Sequence, residues 1–257
     1  MKSQNCSRRS YLLLFLMVCF AAMIGVSACM LLSVDAEYRE GEEVYDALIQ
    51  YAHVPYTEEG TLTSAEAKPL EVPAVDFSSL RAVNPDVVAW LYCENTPINY
   101  PVVQGEDNAY YLNHLFDGTR NSAGCLFLDY RNTWNFTDQN SIIYGHNMKN
   151  KTMFSILMEY KEQAFYESHP VMFLITQEGC YTIELFAGFV ATTEDNAWQR
   201  SFSSQAEQED WIQAAKEKST FQSDVNVSSS DKLVTLSTCS YEFNNARYVV
   251  VGKIHSL

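Results

Sequence analysis

Basic residues are scarce in this chain of 257 residues: 17 lysines and arginines stand against 32 aspartates and glutamates, a formal net charge of −15. Lys2, Arg8 and Arg9 all precede the first acidic residue, Asp35, so the rest of the chain is more acidic still. A surface of this charge repels nucleic acid and anionic lipid, and no nucleic-acid partner is expected.

Metal-binding patterns and internal repeats are also missing. Neither Cys-x-x-Cys nor His-x-x-x-His spacing occurs, so neither a zinc site nor another cofactor is expected. Four of the seven cysteines, Cys93, Cys125, Cys180 and Cys239, lie beyond the first 32 residues. An even number permits disulfides in an oxidising compartment. We interpret the first three as structural and leave open whether a pair of them is bonded.

One long stretch, residues 11–32, carries no charge over 22 residues. As a helix it measures about 33 Å, enough to span a bilayer core of about 30 Å. Basic residues precede it and acidic residues follow it, which places the N terminus in the cytoplasm. The sequence therefore predicts a cytoplasmic tail over residues 1–10, a signal anchor over 11–32 and an extracellular remainder.

Two other interpretations apply to this N-terminal stretch. Val26-Ser27-Ala28-Cys29 fits a lipoprotein cleavage box, which makes Cys29 a lipidated N terminus, and Ser7-Arg8-Arg9 resembles a twin-arginine export signal. The apolar run continues past Cys29 through Met30-Leu31-Leu32, which favours an uncleaved anchor. In each case the following chain is tethered on the outer face of the membrane.

The rest of the chain divides into a stalk, residues 33–76, and a β-rich body. Apolar residues at helical spacing predict an amphipathic helix over 37–52, and residues 56–68 are typical of a linker. Eight short apolar runs predict a closed β structure with peripheral helices over 153–163 and 205–218. The runs are 87–91, 102–103, 125–128, 142–144, 171–175, 181–190, 233–238 and 248–254.

Cys239 ends one of the predicted strands and Arg247 begins the next, with the polar Glu242-Phe243-Asn244-Asn245 between them. A hairpin of this kind brings a thiol beside a permanent cation. The pair suggests acyl transfer, in which a thiolate attacks a carbonyl and the cation stabilises the oxyanion.

Proton transfer in such a site needs a further group, and His146 follows the apolar run Ile142-Ile143-Tyr144-Gly145. Histidine, with an ordinary pKa of about 6.5, both takes and gives a proton near neutrality. Taken singly, the three residues also allow a buried cysteine, a structural histidine and a surface arginine.

The sequence around these residues resembles that of the sortases, and of the class B sortases in particular. Thr235-Leu236-Ser237-Thr238-Cys239 matches the Thr-Leu-x-Thr-Cys strand of the family, and Arg247 falls where the family keeps its arginine. Gly145-His146-Asn147-Met148 is similar to the class B histidine segment. The likeness extends over residues 77–257 and includes Asn84-Pro85-Asp86-Val87, Tyr100-Pro101-Val102 and Phe127-Leu128-Asp129-Tyr130-Arg131.

The resemblance implies a closed eight-stranded β-barrel over residues 77–257. N-terminal helices pack on the barrel of that family, and a helical insertion, here 205–218, lies between its sixth and seventh strands. It also implies a membrane-anchored cysteine transpeptidase that cleaves a C-terminal sorting signal of secreted proteins after threonine. The acceptor is an amine of a peptidoglycan precursor or a pilin lysine.

Site roles follow from the same resemblance. Cys239 is expected to be the nucleophile that forms a thioester, His146 the general acid and base, and Arg247 the stabiliser of the oxyanion or substrate. Ser237, which shares a strand face with Cys239, and Asn113 are further candidates for substrate binding.

Other functions stay open at this point. An extracellular cysteine endopeptidase uses the same thiolate chemistry with water as acceptor. The Cys-Gly-Ser-Cys-Trp motif of papain-like enzymes and the Gln-Ala-Cys-x-Gly motif of caspases are both absent. L,D-transpeptidases keep their histidine close to the cysteine, whereas His146 lies 93 positions before Cys239. A non-enzymatic, anchored β-barrel binding protein is the remaining alternative.

Overall fold

The computed structural model describes residues 3–53, 72–192 and 194–257, with side chains from residue 13 onward. The linker predicted over 56–68 lies outside these ranges. The chain forms two compact units, Met1–Glu42 and Glu43–Leu257.

A long helix, α1 (Ser3–Ile49), opens the chain. Its large apolar side chains from Leu13 to Leu32 are exposed, and its length and composition suffice to cross a membrane. The helix predicted over 37–52 is the last part of α1 and ends earlier, because Ala52 belongs to a short strand. This strand, β1 (Ala52–His53), pairs with β2 (Ala74–Val75).

A short helix, α2 (Phe77–Val83), leads into the β-rich body. Asp76 caps it by accepting hydrogen bonds from the backbone N–H groups of Ser78 and Ser79, which otherwise have no partner in the first turn. The helix ends at Asn84, which is extended because the residue before a proline disfavours the helical conformation.

Eight strands close into a barrel in the order β10-β8-β7-β3-β4-β5-β6-β9. Two neighbouring pairs, β4/β5 and β6/β9, are parallel and the others antiparallel. Each strand contains or overlaps one of the eight predicted runs, and the closed barrel is confirmed. The strands are β3 (Val87–Tyr92), β4 (Asn99–Val103), β5 (Leu126–Leu128), β6 (Asn140–Tyr144), β7 (Val171–Ile175), β8 (Cys180–Ala191), β9 (Lys232–Cys239) and β10 (Arg247–Ser256).

The helix predicted over 153–163 is placed differently in the structure. A 3₁₀ helix covers Ser155–Lys161, and an α-helix, α3, covers Gln163–Ser168. Met153 has a φ of +56° and Glu162 is extended. Neither conformation belongs to a right-handed helix, so one continuous helix cannot form.

Between the sixth and seventh barrel strands lies α4 (Gln205–Lys218), as predicted. Ser204 caps it by accepting a hydrogen bond from the backbone N–H of Glu207, which satisfies one of the free donors of the first turn. Lys216 and Lys218 in the last turn complement the helix dipole. Buried residues of α4 pack in one cluster with Leu233 of β9.

Alternation along β9 places Leu233, Thr235, Ser237 and Cys239 on the outer face of the barrel, because Leu233 meets α4 there. Thr235 and Ser237 are nevertheless buried. The polar side of this strand is therefore a covered surface, and Cys239 lies at its partly exposed end. Cys93, Cys125 and Cys180 all carry free thiols.

Candidate active site

Cys239 and Arg247 lie directly opposite each other as Cα partners in the antiparallel β9/β10 ladder. Cys239 is the last residue of β9, and Arg247 is the first of β10. Opposed residues have Cα atoms about 4.5–5.5 Å apart and project to the same face. The hairpin predicted from the sequence thus brings the thiol and the guanidinium together.

His146 is held beside the same strand end by the parallel β6/β9 ladder, whose last pair is Tyr144 and Ser237. The backbone N–H of Gly145 donates to the Ser237 carbonyl at 3.1 Å, and the Thr238 hydroxyl donates to the Gly145 carbonyl at 2.8 Å. These bonds fix the chain on the residue before the imidazole.

The loop that follows is tied to the strand end by Asn147. Its side-chain Nδ2 donates to the Cys239 carbonyl at 2.9 Å. The backbone N–H of Phe154 donates to the His146 carbonyl at 2.9 Å and closes the loop.

Gly145 allows this close approach because it has no side chain. A Cβ there would lie 2.4 Å from Cδ2 of Leu126 and 2.7 Å from the ring of Phe154, both far inside van der Waals contact. A residue with a side chain would push the His146 loop away from β5.

One imidazole nitrogen, Nε2 of His146, lies 2.6 Å from the Leu112 carbonyl oxygen. A carbonyl only accepts, so Nε2 carries a hydrogen and donates it. Nδ1 is then the nitrogen left to exchange a proton with Cys239. The pKa of His146 is raised above 6.5. The main cause is the hydrogen bond with the Cys239 side chain; burial alone would lower the pKa, and the bond to the Leu112 carbonyl raises it further.

The pKa of Cys239 is shifted the opposite way, below its ordinary value of 9.0. The hydrogen bond with His146 is the main cause; it acts against desolvation, and the charge of Arg247 helps it. Both shifts favour the thiolate and imidazolium forms. This pair provides a nucleophile and an acid in one site.

The guanidinium of Arg247 is only partly engaged within the protein. Its Nη1 donates to the Ala246 carbonyl at 3.0 Å. In the described ranges, no aspartate or glutamate forms a salt bridge with it. The remaining N–H groups are therefore available to an oxygen atom of a ligand.

These three side chains line one groove of about 290 Å³, close to the lower end of the range for small-ligand pockets. Within the described parts of the chain, no group of three or more His, Cys, Asp or Glu residues is arranged to hold a metal ion. The other residues that line the groove are Asn108, Leu112, Phe127, Tyr144, Gly145, Ser237 and Thr238.

The two predicted substrate-binding residues are placed differently. Ser237 lines the groove, and its Oγ accepts a hydrogen bond of 3.0 Å from the indole N–H of Trp198, which leaves the hydroxyl proton free to donate. Asn113 is exposed and is not among the described residues that line the groove. It ends the 3₁₀ helix Tyr110–Leu112, so Leu112 forms the wall instead.

A buried network behind the groove escaped the sequence analysis. The Asp129 carboxylate accepts hydrogen bonds from Asn108 at 3.0 Å and from the Tyr144 hydroxyl at 3.1 Å. Arg131 donates to both carboxylate oxygens, at 2.7 and 2.8 Å. Burial raises the pKa of Asp129, but the hydrogen bonds from Arg131 and Asn108 outweigh it and leave the pKa at about 2.

The motif from Phe127 to Arg131 marks part of this network in the sequence. Its partners Asn108 and Tyr144 lie on other elements, so no local pattern connects them to it. Both partners line the groove.

Comparison with known proteins identifies one family. The sequence profile of the Sortase domain matches residues 91–255. Sortase B of Listeria monocytogenes is 34% identical over 224 residues, covering 84% of this chain and 89% of that protein. Sortase B of Staphylococcus aureus is 38% identical over 180 residues, covering 69% and 74%.

A solved structure, the Staphylococcus aureus sortase B-substrate complex, superposes with a TM-score of 0.67 at 37% identity, covering 70% of this chain and 85% of the other. The resemblance found in the motifs is confirmed by these matches. The chain belongs to the sortase family, and within it to class B, whose members are cysteine transpeptidases.

Proposed function

We propose that this protein cleaves a C-terminal sorting signal of secreted proteins after threonine and transfers the protein to an amine through a thioester on Cys239. The observation that carries the proposal is the groove in which Cys239 opposes Arg247 across the ladder and which His146 also lines. The family supplies the reaction class; the roles of these residues are inferred from their geometry.

In the first half-reaction the Cys239 thiolate attacks the threonine carbonyl carbon. A C–S bond forms, and the carbonyl electron pair moves to the oxygen, which meets the free N–H groups of Arg247. As the intermediate collapses, the C–N bond breaks and the departing amine takes the Nδ1 proton of His146. The products are a thioester and a neutral imidazole.

In the second half-reaction an amine attacks the thioester carbonyl and gives its proton to Nδ1 of His146. The C–S bond breaks and returns the thiolate, so the imidazolium and thiolate pair is restored. The Nε2 bond to the Leu112 carbonyl keeps one tautomer throughout. The amine belongs to a peptidoglycan precursor or to a pilin lysine.

Ser237 and Asn113 have secondary roles in this proposal. Ser237 donates its hydroxyl proton to the backbone of the bound signal, while its oxygen accepts the indole N–H of Trp198. Asn113, exposed beside Leu112, meets only the parts of the signal that extend past the groove.

The enzyme works on the outer face of a membrane in this proposal. The exposed apolar part of α1 is compatible with a single-pass anchor, and sortases are cell-surface enzymes. We assign residues 1–10 to the cytoplasm, 11–32 to the bilayer, 33–76 to an extracellular stalk and 77–257 to the catalytic domain. The helix continues without a break past Cys29, which favours the anchor over a lipoprotein.

The test is direct detection of the acyl-enzyme. The full chain in detergent micelles is mixed with pentapeptides built around threonine, including Asn-Pro-x-Thr-x, with and without amines. Mass spectrometry should show an acyl adduct on Cys239 that amines remove, and Cys239→Ala should show none.

The alternatives give different outcomes in the same experiment. Absence of an adduct from folded protein across the library would overturn the proposal and support a binding protein. An adduct resolved only by water, with varied amines present, would support an endopeptidase.

A further inference from the structure

The last turns of α1 bury Tyr45 and Leu48 within the unit Glu43–Leu257, at 7% and 5% exposure. The Tyr45 hydroxyl donates to the Gly124 carbonyl at 2.5 Å and lies 3.2 Å from Sγ of Cys125. A buried hydroxyl needs such partners. Two sets of contacts connect Tyr45 to His146, one through Gly124 and one through the ring of Tyr100.

The first route passes through Gly124. A Cβ at Gly124 would lie 2.4 Å from the Tyr111 carbonyl oxygen and 2.9 Å from that of Leu112, so the two backbones are in direct contact. The N–H of Cys125 also donates to the Tyr111 carbonyl at 2.9 Å. The Leu112 carbonyl, fixed in this way, is the acceptor for Nε2 of His146.

The second route passes through Tyr100, whose ring meets the Tyr45 ring edge to face at a centroid distance of 5.3 Å. The Tyr100 hydroxyl accepts a hydrogen bond of 3.3 Å from the backbone N–H of Met153. Met153 has a φ of +56° and forms a β-bridge with Asn147. These contacts hold the far side of the His146 loop.

We propose that Tyr45 is a positioning residue for His146. Its hydroxyl holds the backbone that binds Nε2, and its ring supports the tyrosine that holds the histidine loop. Tyr45 is not one of the described residues that line the groove, so it acts on His146 through these contacts alone. The inference rests on the proposed role of His146 as proton carrier, and it makes catalysis depend on docking of the last turns of α1.

The test compares Tyr45→Phe and Tyr45→Ala in the full chain in detergent micelles. The Phe variant keeps the ring and loses the bond to Gly124, and its kcat should fall about 2- to 10-fold, with a larger fall for the Ala variant. KM should change little, because Tyr45 does not contact substrate. NMR titration of labelled histidine should show the pKa of His146 moving back toward its ordinary value.

Two control variants separate positioning from loss of packing. Leu48→Ala removes a buried apolar side chain from the same part of α1. The leucine side chain has no group that could form a hydrogen bond with Gly124. Tyr166→Phe removes a different tyrosine hydroxyl, which donates a hydrogen bond of 2.7 Å to Oγ of Ser223. Both should leave the His146 titration as in the unmodified protein.

Two results would overturn the inference: an unchanged His146 titration and kcat in Tyr45→Phe, or a shift in Leu48→Ala as large as in Tyr45→Ala. If Tyr45→Ala does not fold, the result for Tyr45→Phe decides by itself. Titration of His146 and alkylation of Cys239 by iodoacetamide need no peptide substrate. They therefore test Tyr45 even if acylation, and with it the proposed function, fails.

Discussion

Replacement of Arg247 separates the two contributions that its guanidinium makes to the site. Arg247→Lys keeps the positive charge but loses the planar group with several N–H donors. Arg247→Gln loses the charge. One guanidinium nitrogen is already bound to the Ala246 carbonyl, so the remaining N–H groups are those that can meet the oxyanion.

The expected magnitude follows from the loss of that oxyanion contact. Removal of one such donor costs about 2.7–4 kcal/mol of transition-state stabilisation, or about 10²–10³ in kcat. A lysine ammonium is a point charge on a flexible stem and does not keep the fork beside the thiol. The acylation rate of Arg247→Lys should therefore fall by about 100- to 1000-fold.

Ionisation of the thiol should respond differently, because it depends on charge and less on geometry. The charge of Arg247 helps to lower the pKa of Cys239, although the hydrogen bond with His146 is the larger cause. The pH profile of Cys239 alkylation should therefore stay nearly unchanged in Arg247→Lys. In Arg247→Gln it should move to higher pH.

Two assays on the same preparations measure these quantities: single-turnover acylation followed by mass spectrometry, and the iodoacetamide rate as a function of pH. In Arg247→Lys the acylation rate should fall steeply while the alkylation rate of Cys239 is retained. Acylation near the wild-type rate, or an equal loss in both assays, would refute the proposed role of the guanidinium.

Other substitutions test the pH response and the scaffold. Because the pKa of Cys239 is lowered from 9.0 and that of His146 is raised from 6.5, kcat/KM should be bell-shaped with a near-neutral to mildly alkaline maximum; a flat profile would contradict the pair. Gly145→Ala puts a methyl group 2.4 Å from its nearest neighbour, whereas Gly179→Ala meets nothing within 4 Å. Urea unfolding should show a loss of about 1–3 kcal/mol for the first only. The pKa of Asp129 is about 2 in the folded protein, against an ordinary value of 3.8. The ionised carboxylate therefore stabilises the folded state above pH 3.8, and this contribution is lost as the pH falls through about 2. Acid unfolding of Asp129→Asn should lack this loss of about 2 kcal/mol, and equal acid sensitivity of both proteins would argue against the network.

The strands and the reactive hairpin were predictable because their signals are local. Apolar runs bounded by turn residues marked each barrel strand, and the two runs on either side of the polar stretch 242–245 placed Cys239 and Arg247 at facing strand ends. Ser204 caps α4 at the start that the sequence predicted. Each signal lies within a few residues of the structure that it forms.

What escaped prediction depends on contacts between distant parts of the chain. The link from Asn108 to Asp129 joins two loops, and Asn113 turned outward because a 3₁₀ helix ends there. The helix predicted after the histidine is divided by backbone conformations at Met153 and Glu162. Tyr45 reaches Gly124 across 79 positions of the sequence.

The β9/β10 ladder runs without a register shift from the Lys232 and Ile254 pair to the Cys239 and Arg247 pair. The catalytic spacing is therefore set by the ladder, and the turn that follows does not determine it. Residues of that turn, such as Tyr241, are largely exposed. Exchange of its exposed residues should therefore change what the rim of the groove contacts, while thiol and guanidinium keep their separation.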